Sequence, residues 1–240
     1  MNFLDFVFPR KCSVCGRLLK GSERCVCRTC QKQLPIIHEP RCMRCGKPID
    51  GLEEQYCFDC GMKRKRRDIV AKGTALWVYD RHLKRAMADF KYEGCSGDAE
   101  FYASELCKKR GAEMAKWAVD AVIPVPLHWR KQWFRGYNQA ELLADGIGAY
   151  LQVPVLKEVL KRIRYTKPQK GLTPGLRAEN LKRAFSVDGR SQGRLENIRR
   201  VLLVDDIYTT GSTLEACAEV LCAAGVKQIF FACLCIGRDF

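Results

Sequence analysis

Residues 201–213, Val-Leu-Leu-Val-Asp-Asp-Ile-Tyr-Thr-Thr-Gly-Ser-Thr, constrain the fold of this chain more than any other segment. The four apolar residues 201–204 show no polar alternation. They predict a strand covered on both faces, as in a parallel sheet between helical layers. Asp205 and Asp206 follow where that strand ends, and open α/β sheets place their ligands at this carboxyl edge. Thr209, Thr210, Gly211, Ser212 and Thr213 then make a small, hydroxyl-rich turn ahead of a helical pattern that starts near Leu214. Backbone N–H groups and hydroxyls gathered at a helix N-terminus suit a phosphate. The plainer alternative is a strand-turn-helix with a solvated acidic pair, but adjacent acids at a strand end are rarely followed by such a loop.

Cysteine usage sets the second constraint. Of the 15 cysteines, nine lie in the first 60 residues. Cys12, Cys15, Cys27 and Cys30 form C-x2-C-x11-C-x2-C, and Cys42, Cys45, Cys57 and Cys60 repeat it 30 positions later. Gly16 and Gly46 follow the first pair of each copy. Cys25 has no counterpart, since Gln55 stands there, so Cys27 is the ligand and Cys25 the odd thiol. Four thiolates from two such knuckles make the closed tetrahedron of structural zinc. An iron–sulfur cluster also takes four cysteines, but the ribbon spacing favours zinc. A 60-residue segment with few large apolar residues builds little core, so metal binding must supply its folding energy. The scattered Cys95, Cys107, Cys217, Cys222, Cys233 and Cys235 read mostly as small buried hydrophobes.

Residues 1–67 carry 15 Lys/Arg against 7 Asp/Glu. Eight thiolates on two dications remove four of that excess, leaving about +4, and the run 63–67, Lys-Arg-Lys-Arg-Arg, accounts for it. The run reads either as a solvated linker or as a phosphate-backbone contact. Residues 157–183 hold nine Lys/Arg and two acids, and suit either a flap over a substrate or a nucleic-acid groove. No apolar run approaches the ~18 residues that span a bilayer. The N-terminal stretch has no small-residue cleavage site. These features predict a cytoplasmic chain without membrane insertion.

From Asp68 the pattern alternates between strands and helices, which predicts an α/β fold: a parallel sheet with helices on both faces, occupying 68–240, behind a ribbon module occupying 1–67. Strands are expected at 73–79, 119–125 and 226–234, and helices at 83–90, 100–109, 138–150 and 214–224. In the helix over 138–150, Ala140, Leu142, Leu143, Ile147 and Tyr150 form the apolar side. After the 119–125 strand, Arg130, Lys131 and Arg135 crowd what reads as a loop before a helix N-terminus, a place to meet a polyanion. A basic surface loop with aromatic anchors is the alternative.

The 201–213 segment resembles the phosphoribosyl-pyrophosphate (PRPP) signature of type I phosphoribosyltransferases. That resemblance implies that Asp205 and Asp206 hold the ribose hydroxyls while Thr209, Thr210, Gly211, Ser212 and Thr213 wrap the 5′-phosphate. The stretch Pro124-Val-Pro126-Leu with spaced arginines and Arg135-Gly-Tyr-Asn-Gln-Ala140 resembles the competence protein ComF family. So do Phe90-Lys91-Tyr-Glu-Gly94 and the basic residues around Arg164, Lys167 and Arg177. With the double zinc ribbon, this resemblance runs along nearly the whole chain. It implies Arg130 and Arg135 as catalytic cations beside the acidic pair, Val204, Pro126 and Lys91 among the PRPP-binding residues, and Mg2+ with PRPP. It further implies a role in DNA uptake in natural transformation, with single-stranded DNA and the competence DNA-translocating ATPase as partners.

A phosphoribosyl transfer needs charge stabilisation of pyrophosphate, a metal bridge and a positioned nucleophile, and no residue here identifies the nucleophile. Relatives acting on 6-oxopurines carry an acid where Thr209 stands, and threonine does not titrate usefully. The leading expectation is a PRPP-dependent transferase with an unidentified acceptor. The alternative is a fold of the same kind that binds single-stranded DNA and uptake proteins with weak or no catalysis. A PRPP-sensing regulator reading DNA through its ribbon is a third reading, against which no helix-turn-helix pattern is visible.

Overall fold

The computed structural model describes residues 10–237 apart from 22, 52, 64–68, 93–97, 165–180 and 182. Two short helices, α1 (Arg28–Gln33) and α2 (Phe58–Lys63), belong to the cysteine-rich segment. Then follow β1 (Val70–Val78), α3 (Arg81–Tyr92), α4 (Asp98–Ala115), β2 (Ala121–Pro124), α5 (Trp129–Arg135) and α6 (Gln139–Leu151). A small antiparallel pair, β3 (Leu160–Arg162) and β4 (Phe185–Val187), precedes β5 (Arg200–Tyr208), α7 (Ser212–Ala223) and β6 (Gln228–Ile236).

The main sheet has the order β1-β6-β5-β2 and its described pairs are all parallel. Alternation along β5 and β6 sorts the core into two layers. Leu202, Val204, Phe230, Ala232 and Leu234 face α3, α4 and α6, where they meet Phe90, Tyr102, Leu106, Leu143 and Ile147. Val201, Leu203, Ile229, Phe231 and Cys233 face the other way, onto Leu214, Cys217, Ala218 and Leu221 of α7. Each face is covered, which is why these strands are continuously apolar. No helix among the described residues is long and apolar enough to cross a membrane.

Three local expectations are corrected. Strand β5 does not stop at Val204. It continues through both acids to Tyr208, because β6 keeps pairing with it at Asp205↔Cys233, Ile207↔Cys235 and Tyr208↔Ile236. The basic segment after β2 is helix α5, not a loop. The His128 ring nitrogen Nδ1 accepts the Arg130 N–H at 3.3 Å to cap its start, and Gly136, at φ 78°, closes its end. None of its residues is buried, so no apolar periodicity marks it in the sequence. Tyr150 is half-exposed and outside the core; its ring lies where a side chain on Gly111 would stand.

The two cysteine-rich copies repeat in three dimensions. Gly16 N–H donates to Cys12 O at 2.8 Å and Gly46 N–H to Cys42 O at 2.9 Å. Cys12 and Cys42 N–H donate to Arg17 O and Lys47 O, both at 2.7 Å. Ser13 N–H reaches Cys25 O, and Met43 N–H reaches Gln55 O. Gly16 and Gly46 sit at φ 74° and 75°, a left-handed turn that glycine adopts without strain. The module packs directly on the sheet. Ile37 N–H donates to Leu76 O, Val78 N–H to Pro35 O and Gly73 N–H to Arg44 O. Residues 35–44 thereby cover the outer edge of β1, which would otherwise offer unpaired backbone to another chain.

Candidate functional site

The acidic pair stands near the carboxyl end of the central strand β5. Asp206 N–H donates to Asp205 Oδ1 at 2.8 Å, and Lys91 Nζ meets Asp206 Oδ2 at 2.7 Å. Both side chains of that ion pair are largely buried, at 21% and 14% exposure. Burial works to lower the Lys91 pKa, but Asp206 outweighs it and the ammonium is held above its usual range. Burial, followed by the Asp206 charge, raises the Asp205 carboxyl to about 7. The acids are therefore not the solvated pair of the plainer alternative.

Beyond them the chain turns through Thr209 and Thr210 into Gly211, which caps α7 at φ 79°. Thr210 Oγ1 and Ser212 Oγ lie 3.0 Å apart. Asp205, Thr209, Thr210, Gly211, Ser212 and Thr213 line one small concavity with Ile207, Tyr208 and Leu214. An anion there meets the first N–H groups of a 12-residue helix and its positive dipole end.

The Arg-Gly-Tyr-Asn-Gln segment has a structural explanation. Tyr137 Oη and Gln139 Nε2 donate to Phe90 O at 2.6 and 3.1 Å, and Gln139 also reaches Lys91 O. These bonds satisfy the last carbonyls of α3, which a helix leaves without internal partners, and they fix the base of Lys91. Asn138 caps α6 by accepting the Ala140 N–H and donates to Val125 O. Arg135 donates to Tyr92 Oη at 3.0 Å, its guanidinium 4.7 Å from that ring's centroid, so it stands beside Lys91's helix end. Arg130 lies over Trp129 at 5.2 Å.

Lys131, from the basic segment after β2, and Arg162, which the sequence did not single out, also face the site. Burial and then Arg162, Arg135 and Lys91 lower the Lys131 pKa, with Asp206 opposing them. Burial lowers the pKa of Arg162, on β3, against the pull of Cys217 and Asp205. Nothing local distinguishes Arg162 among 42 Lys/Arg. Pro126 lines a larger open cleft with Trp129, Lys161, Arg162 and Arg190. Val204 is wholly buried, its side chain in the core and its carbonyl taken by Val125 N–H. The basic run 63–67 lies outside the described residues except for helical Lys63, as does most of 165–183.

The eight ribbon cysteines converge as two groups of four, with sulfur atoms within 4.8 Å of one another in each. Cys15 Sγ and Cys27 Sγ are 3.9 Å apart, and Cys45 Sγ and Cys57 Sγ 3.5 Å. Tetrahedral zinc at ~2.3 Å from each sulfur requires about 3.8 Å, so the donor set fits. Cys27 caps α1, its sulfur accepting the Cys30 N–H at 3.5 Å. Cys25 is no ligand. It is buried against Ser13, whose hydroxyl bonds Asp98 at 3.0 Å, and burial pushes the Cys25 thiol up.

The second group adjoins the concavity at the start of α7. Arg44, Cys45 and Cys60 line a pocket shared with Tyr208, Gly211 and Leu214. Tyr208 stacks on Phe231 with centroids 4.7 Å apart, and a Cβ on Gly211 would stand 2.6 Å from its hydroxyl.

The buried acid predicts a pH effect. Because the folded pKa of Asp205 lies above its unfolded value, the native state holds more protons between about pH 4 and 7. Its contribution to stability is complete below that window and is lost as pH rises through about 7. Urea unfolding of parent and Asp205→Asn without divalent cation is expected to show the parent falling relative to the variant across pH 5.5–8. The difference should be at most about 1.4 kcal/mol per pH unit. Parallel curves would mean Asp205 is ionised throughout.

Residues 3–61 match the Double zinc ribbon domain family, and residues 137–239 the Phosphoribosyl transferase domain family. The chain is 46% identical over 110 residues to Competence protein F of Haemophilus influenzae, covering 46% of this chain and 47% of that protein. It is 38% identical over 116 residues to DNA utilization protein YhgH of Escherichia coli O157:H7, covering 48% and 49%. Competence protein ComFC of Bacillus subtilis is 28% identical over 160 residues, covering 65% of this chain and 60% of that protein. The chain thus spans about half the length of the first two curated relatives it matches.

Proposed function

Because the chain belongs to the ComF family of competence proteins, we propose that it is a PRPP-binding phosphoribosyltransferase acting in DNA uptake, with residues 1–67 as a zinc-ribbon module and 68–240 as the transferase domain. The observation that carries this reading is the Asp205–Asp206–Lys91 cluster opening onto the hydroxyl-rich concavity at the start of α7. In it, the N–H groups and hydroxyls of Thr209, Thr210, Gly211, Ser212 and Thr213 take the 5′-phosphate, and Asp205 and Asp206 accept from the ribose hydroxyls. Lys91, Lys131, Arg130 and Arg135 supply positive charge for the pyrophosphate as it leaves. Bound Mg2+ would add Lewis-acid neutralisation of that pyrophosphate. The relatives named for competence and DNA utilization support the DNA-uptake setting, with single-stranded DNA and the DNA-translocating ATPase as partners.

A second reading is binding of PRPP without transfer. Thr209 favours it, because no titratable side chain in the loop can serve the acceptor. One experiment separates the two. PRPP with Mg2+ at ~100 times Kd should stabilise the fold by about 2.7 kcal/mol, read as a raised melting temperature. Pyrophosphate release is then measured across amines, nucleobases and oligonucleotides. Release with one acceptor class supports transfer, a shift without release supports binding alone, and no shift at millimolar PRPP rejects both.

A further inference from the structure

We propose that helix α5 is a stacking platform for the bases of a single-stranded polynucleotide, beside the PRPP concavity. Trp129, Trp133 and Phe134 are exposed by 64%, 86% and 77%, and neighbouring Tyr92 by 61%. The chain's other two tryptophans, Trp77 and Trp117, are buried. Aromatic surface on this scale is not packed into the core, and its concentration on one seven-residue helix marks a binding surface.

Charge selects the occupant. Arg130, Lys131 and Arg135 share the helix with the three aromatics, and it carries no acid. At about 100° per residue, Arg130 falls between Trp133 and Phe134 around the axis. A membrane-surface helix segregates its cations from its apolar face, and a protein-binding patch is depleted of charge at its centre. Aromatic faces interleaved with cations instead match a strand whose bases and phosphates alternate, where stacking needs no base readout. Arg135 joins Tyr92 at 3.0 Å, and the adjacent Lys91 meets Asp206, so a strand lying on α5 would pass the mouth of the acidic site. This inference deepens the DNA-handling part of the reading above.

The test uses the full-length zinc-loaded chain and three probes: a labelled 20-mer of thymidylate, an abasic 20-mer with the same phosphates, and vesicles of anionic phosphatidylglycerol. Trp133→Ala with Phe134→Ala is expected to weaken thymidylate binding about 100-fold, roughly tenfold per aromatic, while leaving abasic binding and the log–log salt slope unchanged, since no phosphate contact is lost. Trp133→Phe should retain most of the affinity. A parent that does not bind thymidylate, a double variant that binds it as the parent does, or an equal loss on the abasic strand overturns the proposal. Loss of vesicle binding with thymidylate binding intact assigns the helix to a membrane surface instead. The PRPP melting shift of the parent is read separately: its absence would sink the transferase reading and leave the stacking result standing.

Discussion

Alanine at Cys57 is expected to lower the zinc content from two ions per chain to one and to weaken PRPP binding as well. The zinc loss follows from the two four-sulfur groups, each of which needs all its donors for a closed site. Structural zinc supplies on the order of 10 kcal/mol to a small ribbon, so the second copy should lose its fold. The effect on PRPP follows from position. Cys45 and Cys60 share a pocket wall with Tyr208 and Gly211, and Tyr208, stacked on Phe231, belongs to the same buried cluster as this ribbon's cysteines. Without that support the loop should lose at least about tenfold in affinity, the factor that ~1.4 kcal/mol produces. Cys27→Ala should also remove one zinc but affect PRPP less, because the first copy packs against the helical layer away from the loop, with Gly16 beside Arg85 of α3. Cys25→Ala should keep both ions. Elemental analysis and PRPP titration of the three variants give the comparison. Equal PRPP affinity for Cys57→Ala and the parent would show that the ribbon does not support the loop.

Asp206→Asn is expected to abolish the PRPP melting shift and to destabilise the ligand-free protein by at most about 3–5 kcal/mol, the cost of removing one partner of a buried ion pair, less what Asp205 recovers by ionising beside Lys91. Lys91 is the other partner, at 2.7 Å. Adding Lys91→Met removes the stranded ammonium and should return most of the lost stability without restoring PRPP binding. The pair of variants separates folding from function, which the single change cannot do because the acid is largely buried. Urea unfolding and PRPP titration of both provide the readouts. A PRPP shift that survives Asp206→Asn would place the site elsewhere, and a double variant no more stable than the single one would mean that the ion pair is not what holds Lys91.

The parts of this protein legible in its sequence are those encoded within a few residues. The 30-residue repeat of cysteine spacings identified the ligands and excluded Cys25, because a knuckle is a local turn. The apolar run 201–204 announced a doubly covered strand, and the Thr/Gly loop announced a helix N-terminus, because both are read from neighbouring side chains. What the sequence could not carry was which distant segments meet. Lys91 and Asp206 are 115 positions apart, and only the packing of α3 beside the central strand, fixed by Tyr137 and Gln139 on its last carbonyls, brings them together. The docking of the second ribbon beneath Tyr208 depends on β1 being the outer strand in the order β1-β6-β5-β2, which local periodicity does not encode. The raised pKa of Asp205 is likewise a product of burial by the assembled layers, as is the extension of β5 past both acids by its pairing with β6. Helix α5 escaped detection for the opposite reason. None of its residues enters the core, so it has no apolar period to read, and His128 and Gly136 cap its two ends. Local spacing determined which chemistry is present, and tertiary packing decided which groups share a site and in what protonation state, because Coulombic attraction and desolvation depend on distances between segments far apart in the chain.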